Sequence, residues 1–138
     1  MRSYVLDTSV ATAWYLPEEF SPAARKWQQD MVEERIALIA PSLHLQEFAN
    51  VLRTYVVRGE LAEDLAKDIF GLHLNAPLKV VEPSSSTILD IALQYEATAY
   101  DAVYISLSLE HNIPLLTAER TTTPWVVKLG AMVESVST

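Results

Sequence analysis

The sequence predicts an α/β fold in which a parallel sheet is covered on both faces by helices. Short apolar runs typical of strands alternate along the chain with segments whose apolar residues recur at helical spacing. The strand runs are apolar throughout rather than alternating in polarity, which is typical of parallel strands that are buried on both faces. The chain has 138 residues, of which 50% are hydrophobic, so a single domain over residues 1–138 can bury its own core.

Five apolar runs are predicted as strands because each is short and is bounded by an acid, a proline or a glycine. They are Tyr4–Leu6, Ile36–Ala40, Lys79–Val81, Pro114–Thr117 and about Ala131–Val136.

The predicted helices fill the segments between these strands. A helical segment that includes Val10 is stopped by Pro17, and Ser21 is predicted as the N-cap of the next helix, with Pro22 in its first turn. The following helix, 44–58, ends before Gly59, which suits a C-terminal cap. Helix 61–73 is predicted to bury one stripe of side chains, namely Leu61, Leu65, Ile69 and Leu72. Two more helices follow, one from a cap at 84–87 through Tyr95 and one, apolar on nearly all sides, at 101–111.

Composition excludes several classes of protein. The absence of cysteine removes disulfides, iron–sulfur clusters, thiolate zinc sites and cysteine nucleophiles. No apolar run is long enough to span a bilayer, and the N-terminal residues lack a signal-peptide pattern. We therefore expect a soluble cytoplasmic protein with no membrane partner. The formal charge of −8 argues against a broad basic surface for nucleic acid.

Four acids follow predicted strands or open predicted helices. Asp7 and Glu119 come after strands, Asp101 opens a helix, and Glu47 lies near the start of another. In a parallel sheet, ligands bind beyond the carboxyl ends of the strands, so these four carboxylates can face one crevice. Crowded carboxylates call for a positive charge between them, and oxygen-only ligands favour Mg²⁺ or Mn²⁺. Two such ions can cleave a phosphodiester, which is nuclease chemistry.

Each acid also has an ordinary structural interpretation. Asp101 could be an N-cap, Glu47 could compensate a helix dipole, and Glu119 could be a solvated loop residue, so only their joint placement is informative. A haloacid dehalogenase-type phosphatase would need a second Asp where Ser9 stands, and there is no glycine-rich phosphate loop or serine hydrolase motif. His44 is predicted as a surface or capping residue rather than a ligand.

Four motifs resemble, in their order and spacing, those of PIN-domain ribonucleases. Among these proteins, the motifs are most similar to those of the VapC-like toxins of prokaryotic toxin–antitoxin pairs. They are Val5-Leu6-Asp7-Thr8-Ser9, Glu47-x-x-Asn50-x-Leu52, Tyr100-Asp101-Ala102-x-Tyr104 and Pro114-Leu115-Leu116-Thr117-Ala118-Glu119. The resemblance covers essentially the whole chain. It implies a three-layer α/β/α sandwich with a central, mostly parallel five-stranded sheet.

The resemblance also implies a site. Asp7, Glu47 and Asp101 match the family's central metal-binding acids, and Ser9, Asn50 and Thr117 match residues that support them. Glu119 departs from the family's Thr-x-Asp pattern, so we expect it to be a water-mediated fourth ligand. One or two Mg²⁺ or Mn²⁺ ions per site, an RNA substrate, a homodimer and a cognate antitoxin protein are further implications.

Two alternatives stay open at this stage. One is a catalytically weak binding or dimerisation module of the same fold, and the other is an RNA-processing nuclease outside toxin–antitoxin systems. If the acids hold two divalent ions, the formal charge falls from −8 to −4, with the positive potential focused where phosphate would bind. Acidity of this kind is compatible with weak nonspecific RNA affinity and a steep dependence on metal.

Overall fold

The structure is a computed structural model that describes residues 1–136. Its five strands are β1 Arg2–Leu6, β2 Ile36–Ala40, β3 Lys79–Val80, β4 Leu115–Thr117 and β5 Val133–Ser135. Its seven α-helices are α1 Thr8–Tyr15, α2 Ser21–Val32, α3 Leu43–Val57, α4 Glu63–Leu74, α5 Ile88–Tyr95, α6 Ala99–His111 and α7 Pro124–Leu129. The predicted alternation of strands and helices is confirmed.

The strands form one sheet in the order β3-β2-β1-β4-β5. Every pair of neighbours is parallel, which confirms the predicted parallel sheet. β1 lies at the centre, where Val5 aligns with Ile39 on one side and with Leu115 on the other. A central strand is covered on both faces, and this explains why β1 is apolar without alternation.

Alternate residues of β1 supply two different cores. Tyr4 and Leu6 face one side of the sheet, where they belong to a cluster with Trp14 of α1 and Met31 of α2. Val5 faces the other side, where the cluster contains residues of α6 and α7, namely Tyr104, Ile105, Leu107, Trp125, Val126 and Leu129. Helices on both faces make the three-layer α/β/α architecture that the sequence predicted.

A third core joins α3 and α4 and corrects the predicted orientation of α4. The inward side chains of α4 are Ala66, Ile69 and His73, while Leu65 and Leu72 are 50% and 65% exposed. The apolar residues of this helix span a wide arc, so periodicity alone allows more than one inward stripe. The stripe that contains His73 is used because its imidazole joins a buried hydrogen-bond chain with α3 and α1.

Two predicted helix starts also need correction. Ser21 is the first residue of α2 rather than its N-cap, which is Phe20, and the Ser21 hydroxyl instead bonds the loop at Glu18 and Leu16. α6 begins at Ala99, two residues before Asp101.

His44 was predicted at the surface, but its side chain is fully buried. Within residues 1–136, no helix combines the length and the apolar character needed to cross a membrane.

Candidate active site

The crevice for a ligand lies where the order of the strands reverses, between β1 and β4. The chain leaves β1 toward β2 and β3 on one side and later returns to β4 on the other side of β1. Open parallel sheets bind ligands beyond the carboxyl ends of the strands at such a switch point. Asp7 follows β1 there, and Thr117 is the last residue of β4.

Asp7 is held in this crevice by two hydroxyl groups. Its Oδ2 atom accepts hydrogen bonds from Thr117 Oγ1 at 2.7 Å and from Ser9 Oγ at 2.9 Å. The two hydroxyls are held in turn by backbone amides, since Ser9 accepts from Ala118 and Thr117 from Glu119, each at 3.1 Å. Asp7 occupies the N-cap position of α1, yet its carboxylate makes no capping bond to that helix. The carboxylate is therefore turned into the crevice rather than used to start the helix.

Glu47 reaches the same crevice from α3. Its Oε1 atom accepts hydrogen bonds from Tyr104 Oη at 2.5 Å and from Thr8 Oγ1 at 3.0 Å. Sequence reasoning did not single out Thr8 or Tyr104 as site residues. One signal for Thr8 was its position directly after Asp7. The signal for Tyr104 was its spacing of three residues from Asp101, which places Asp101 and Tyr104 on the same face of α6.

Asp101 lies in the first turn of α6. Its backbone N–H donates to the hydroxyl of the N-cap residue Thr98 at 3.0 Å. Threonine at the N-cap followed three residues later by an acid is a capping arrangement, so part of the Asp101 position is explained by helix stability. Helix capping does not account for its neighbours, because the Asp101 carboxylate also lies near the negative charges of Glu47 and Glu119.

The pKa values of Asp7 and Asp101 are both raised. The pKa of Asp7 rises to about 6, first because the group is buried and also because Asp101 and Glu47 are negatively charged neighbours, with Thr117 and Ser9 opposing the rise. The pKa of Asp101 is also raised, first by burial and then by Glu47 and Glu119, against the hydrogen bond from Thr98. The charges of Asp7, Glu47, Asp101 and Glu119 are therefore coupled to one another.

Two predicted site residues are placed less centrally. Glu119 is exposed after β4, where its Oε1 atom accepts from Thr123 Oγ1 at 3.2 Å. Asn50 is exposed on α3, one turn beyond Glu47, and its carbonyl accepts a hydrogen bond from Thr54. Its predicted support of Glu47 stays a prediction.

The donor set is suited to a hard divalent cation, although the side chains do not form a closed cage. Within residues 1–136, no three His, Asp or Glu side chains lie close enough together to hold a metal ion as they stand. However, both hydroxyls on Asp7 bond Oδ2, and both donors to Glu47 bond Oε1. The second oxygen of each carboxylate is therefore available to a cation, and oxygen-only donors select Mg²⁺ or Mn²⁺.

Comparison with known proteins gives the family. The family model of the PIN domain matches residues 4–121, which includes all four acids of the cluster. This chain belongs to the PIN-domain family. PIN domains are generally nucleases, which agrees with a carboxylate cluster at the switch point of the sheet. No curated protein sequence is significantly similar to this PIN domain.

Solved structures share the fold of this PIN domain over nearly its whole length. PAE2754 from Pyrobaculum aerophilum superposes with a TM-score of 0.73 at 21% identity, covering 98% of this chain and 91% of the other. A toxin–antitoxin complex from Klebsiella pneumoniae gives a TM-score of 0.59 at 12% identity, with coverage of 96% and 97%. FitAcB from Neisseria gonorrhoeae gives 0.52 at 17% identity, with the same coverage. At these identities the likeness establishes the fold.

Proposed function

We propose that this PIN domain is a Mg²⁺- or Mn²⁺-dependent endoribonuclease and the toxin of a toxin–antitoxin pair. The observation that carries the proposal is the coupled cluster of Asp7, Glu47 and Asp101 beyond the carboxyl ends of the strands. Burial and mutual repulsion raise the pKa of Asp7 and of Asp101, so the cluster lacks a positive charge that a cation would supply.

Asp7, Glu47 and Asp101 are the residues that would hold one or two divalent ions, with Glu119 as a fourth, water-mediated ligand. Bound divalent ions in nucleases activate water and stabilise the charge on the leaving oxygen of a phosphodiester. Ser9 and Thr117 keep the Oδ2 atom of Asp7 engaged, so the orientation of this carboxylate is fixed before any ion arrives. Thr8 and Tyr104 do the same for Glu47. Preorganised ligands of this kind lower the cost of assembling the site.

The toxin assignment is supported by the fold shared with the Klebsiella pneumoniae toxin–antitoxin complex over nearly the full length of both chains. A protein partner is further supported by the apolar surface along α3 and α4. Val57 and Leu74 are each more than half exposed, and they line a groove of about 730 Å³ between these two helices. Exposed apolar patches of this kind are typical of interaction sites. The homodimer, the antitoxin partner and a cytoplasmic location belong to the same proposal.

One observation favours a second candidate, a PIN domain kept for binding rather than cleavage. The Glu119 carboxylate accepts a hydrogen bond from Thr123, and its side chain is one methylene longer than the Asp of the Thr-x-Asp pattern that the family resemblance implies. A site whose fourth acid holds no metal ion could bind RNA or protein without cutting it.

Cleavage of a mixed RNA pool with Mg²⁺, with Mn²⁺ and with EDTA tests the proposal. We expect metal-dependent cleavage by the wild-type protein and a loss of at least about 100-fold in Asp101→Asn, because one metal ligand is removed. Asp68→Asn is the matched control, since it makes the same charge change on an exposed part of α4. Cleavage by Asp101→Asn at the wild-type rate would exclude the assigned site. Mn²⁺ binding without cleavage by the wild-type protein would favour the binding module.

A further inference from the structure

A chain of buried polar side chains runs from Glu47 into the core. His44 and His73 are 0% and 1% exposed, and their Nε2 atoms lie 2.7 Å apart. The Nδ1 atom of His44 lies 2.8 Å from Thr8 Oγ1, and the Nδ1 atom of His73 lies 2.9 Å from Tyr15 Oη. Because Thr8 also contacts Glu47, the hydrogen bonds are continuous from Tyr15 to the acid cluster. Buried polar groups need partners, and here each of the four ring nitrogens has one.

The contact between the two Nε2 atoms can hold only one proton. An N–H on both Nε2 atoms would place two hydrogens inside a 2.7 Å contact, so at least one of these nitrogens carries no proton. The environment agrees, because burial lowers the pKa of His44 to about 3, with His73 contributing, and burial lowers the pKa of His73 to about 4. Two neutral imidazoles each have one donor and one acceptor nitrogen.

Glu47 sets the direction of the whole chain. A carboxylate only accepts, so Tyr104 donates its hydroxyl proton to Glu47 Oε1 and its own oxygen is left to accept. The Thr8 hydroxyl lies 3.0 Å from Glu47 Oε1 and 2.8 Å from Tyr104 Oη, and its proton points toward these two oxygens. If that proton pointed to His44 instead, neither of these oxygen–oxygen contacts would hold a proton. His44 therefore donates from Nδ1 to Thr8 and accepts at Nε2. His73 in turn donates from Nε2 and accepts at Nδ1 from the Tyr15 hydroxyl, whose pKa is raised to about 12 by burial, so its proton is retained.

We propose that His44 and His73 are positioning residues, which through Thr8 hold Glu47 Oε1 in a fixed hydrogen bond and leave Oε2 available to a ligand in the acid cluster. This inference rests on the proposed function, since it gives the orientation of Glu47 a role in cation binding. Neither imidazole touches the acids directly. They act through Thr8, whose hydroxyl oxygen contacts both His44 and Glu47. The chain also joins α1, α3 and α4, so it couples the packing of α4 to the site.

Nitrogen-15 NMR of the metal-free protein tests the direction of these hydrogen bonds. We expect both imidazoles to be neutral at pH 7 and to be opposite tautomers, with the proton on Nδ1 of His44 and on Nε2 of His73. The reverse pair of tautomers, or a charged imidazole at pH 7, would overturn the proposal. This measurement is independent of nuclease activity.

Calorimetry with Mn²⁺ tests the positioning role. Thr8→Val removes the hydroxyl, and we expect its Mn²⁺ affinity to fall by about 10- to 100-fold, as for other groups that orient metal ligands. Thr8→Ser keeps the hydroxyl and should retain most of the affinity. His44→Leu should lose affinity in the same way, whereas His44→Asn can still donate an amide N–H to Thr8 and should recover part of it.

Ile69→Ala is the control for a merely structural effect. Ile69 is buried on α4 one turn before His73, and its truncation should lower Tm while Mn²⁺ affinity is kept. Wild-type affinity in Thr8→Val would overturn the positioning role and leave the proposed nuclease function standing. Failure of the wild-type protein to bind Mn²⁺ would overturn the proposed function and, with it, the role of the chain in cation binding.

Discussion

Replacing Asp7 by Asn should stabilise the metal-free protein at neutral and alkaline pH. In the folded protein the ionised carboxylate of Asp7 is buried next to Asp101 and Glu47, and its pKa rises from 3.8 to about 6. Asparagine has nearly the same shape and can still accept from Ser9 and Thr117 through its amide oxygen. The substitution therefore removes the unfavourable charge and keeps the hydrogen bonds.

The size of the effect follows from the pKa difference. The rise in the pKa of Asp7 from 3.8 to about 6 corresponds to about 3 kcal/mol of unfolding free energy, because each tenfold change in proton affinity is worth about 1.4 kcal/mol. Partial solvent access and relaxation of the neighbouring acids reduce this value, so we expect about 1 to 3 kcal/mol. With about 2 cal/mol/K of unfolding entropy per residue, a chain of this length should gain roughly 3 to 10 °C in Tm.

The pH dependence identifies the cause. A carboxyl group with a raised pKa in the folded state contributes stability that is fully present below about pH 3.8 and is lost as the pH rises through about 6. The difference in unfolding free energy between Asp7→Asn and wild type should therefore be close to zero at pH 3.5, grow between pH 4 and 6, and be constant above about pH 7.

Urea denaturation in EDTA, followed by circular dichroism across this pH series, measures the difference directly. Added Mn²⁺ should stabilise the wild-type protein and leave Asp7→Asn nearly unchanged, because a ligand stabilises only the state that binds it. The reasoning is refuted if the variant is less stable than wild type at pH 8 in EDTA, or if the difference is the same at every pH.

Three further predictions concern the site and the α4 interface. Glu119→Ala should lower the Mn²⁺ stoichiometry or affinity measured by calorimetry, while Glu119→Asp restores it; equal binding by both variants would remove Glu119 from the ligand set. Tyr104→Phe should lower the unfolding free energy by about 1 to 3 kcal/mol in urea, because the half-buried carboxylate of Glu47 loses its 2.5 Å donor; a change below about 0.5 kcal/mol would contradict this. Leu72→Ala should change the unfolding free energy by less than about 0.5 kcal/mol because Leu72 is exposed, whereas Ile69→Ala should lower it by about 2 to 5 kcal/mol because Ile69 is buried. If Leu72→Ala unfolded at a lower urea concentration than Ile69→Ala, α4 would instead bury the stripe that contains Leu72.

The acids of the site could be found from the sequence because each one is marked by its local position. Asp7 follows a short apolar run, and Glu119 follows another, so the pattern of strands places both at the same edge of a parallel sheet. Glu47 lies near the start of the helix that follows β2, and Asp101 lies near the start of α6, which follows α5. The periodicity of strands and helices depends only on residues that are close together along the chain, so it can be recognised in a single sequence.

The groups that orient these acids are not marked by local position, and Ser9 and Thr117 were named only through the family resemblance. Thr117 bonds Asp7 across 110 positions of the chain, and Tyr104 bonds Glu47 across 57. Whether a hydroxyl faces a carboxylate at such a separation depends on strand order and on how each helix is rotated about its axis. Neither quantity is encoded in local spacing.

The rotation of α4 about its axis is a feature that the sequence pattern does not determine. The sequence by itself determined the alternation of strands and helices, the parallel sheet and the cluster of acids, because apolar period and strand ends are fixed by neighbouring residues. Only the tertiary structure decided that His73 rather than Leu72 points inward, since both choices present an apolar stripe of similar length. The buried partner that His73 finds in His44, 29 positions away, selects between them. Burial of a polar group is favourable only where its hydrogen bonds are completed, and the complete fold alone provides that partner.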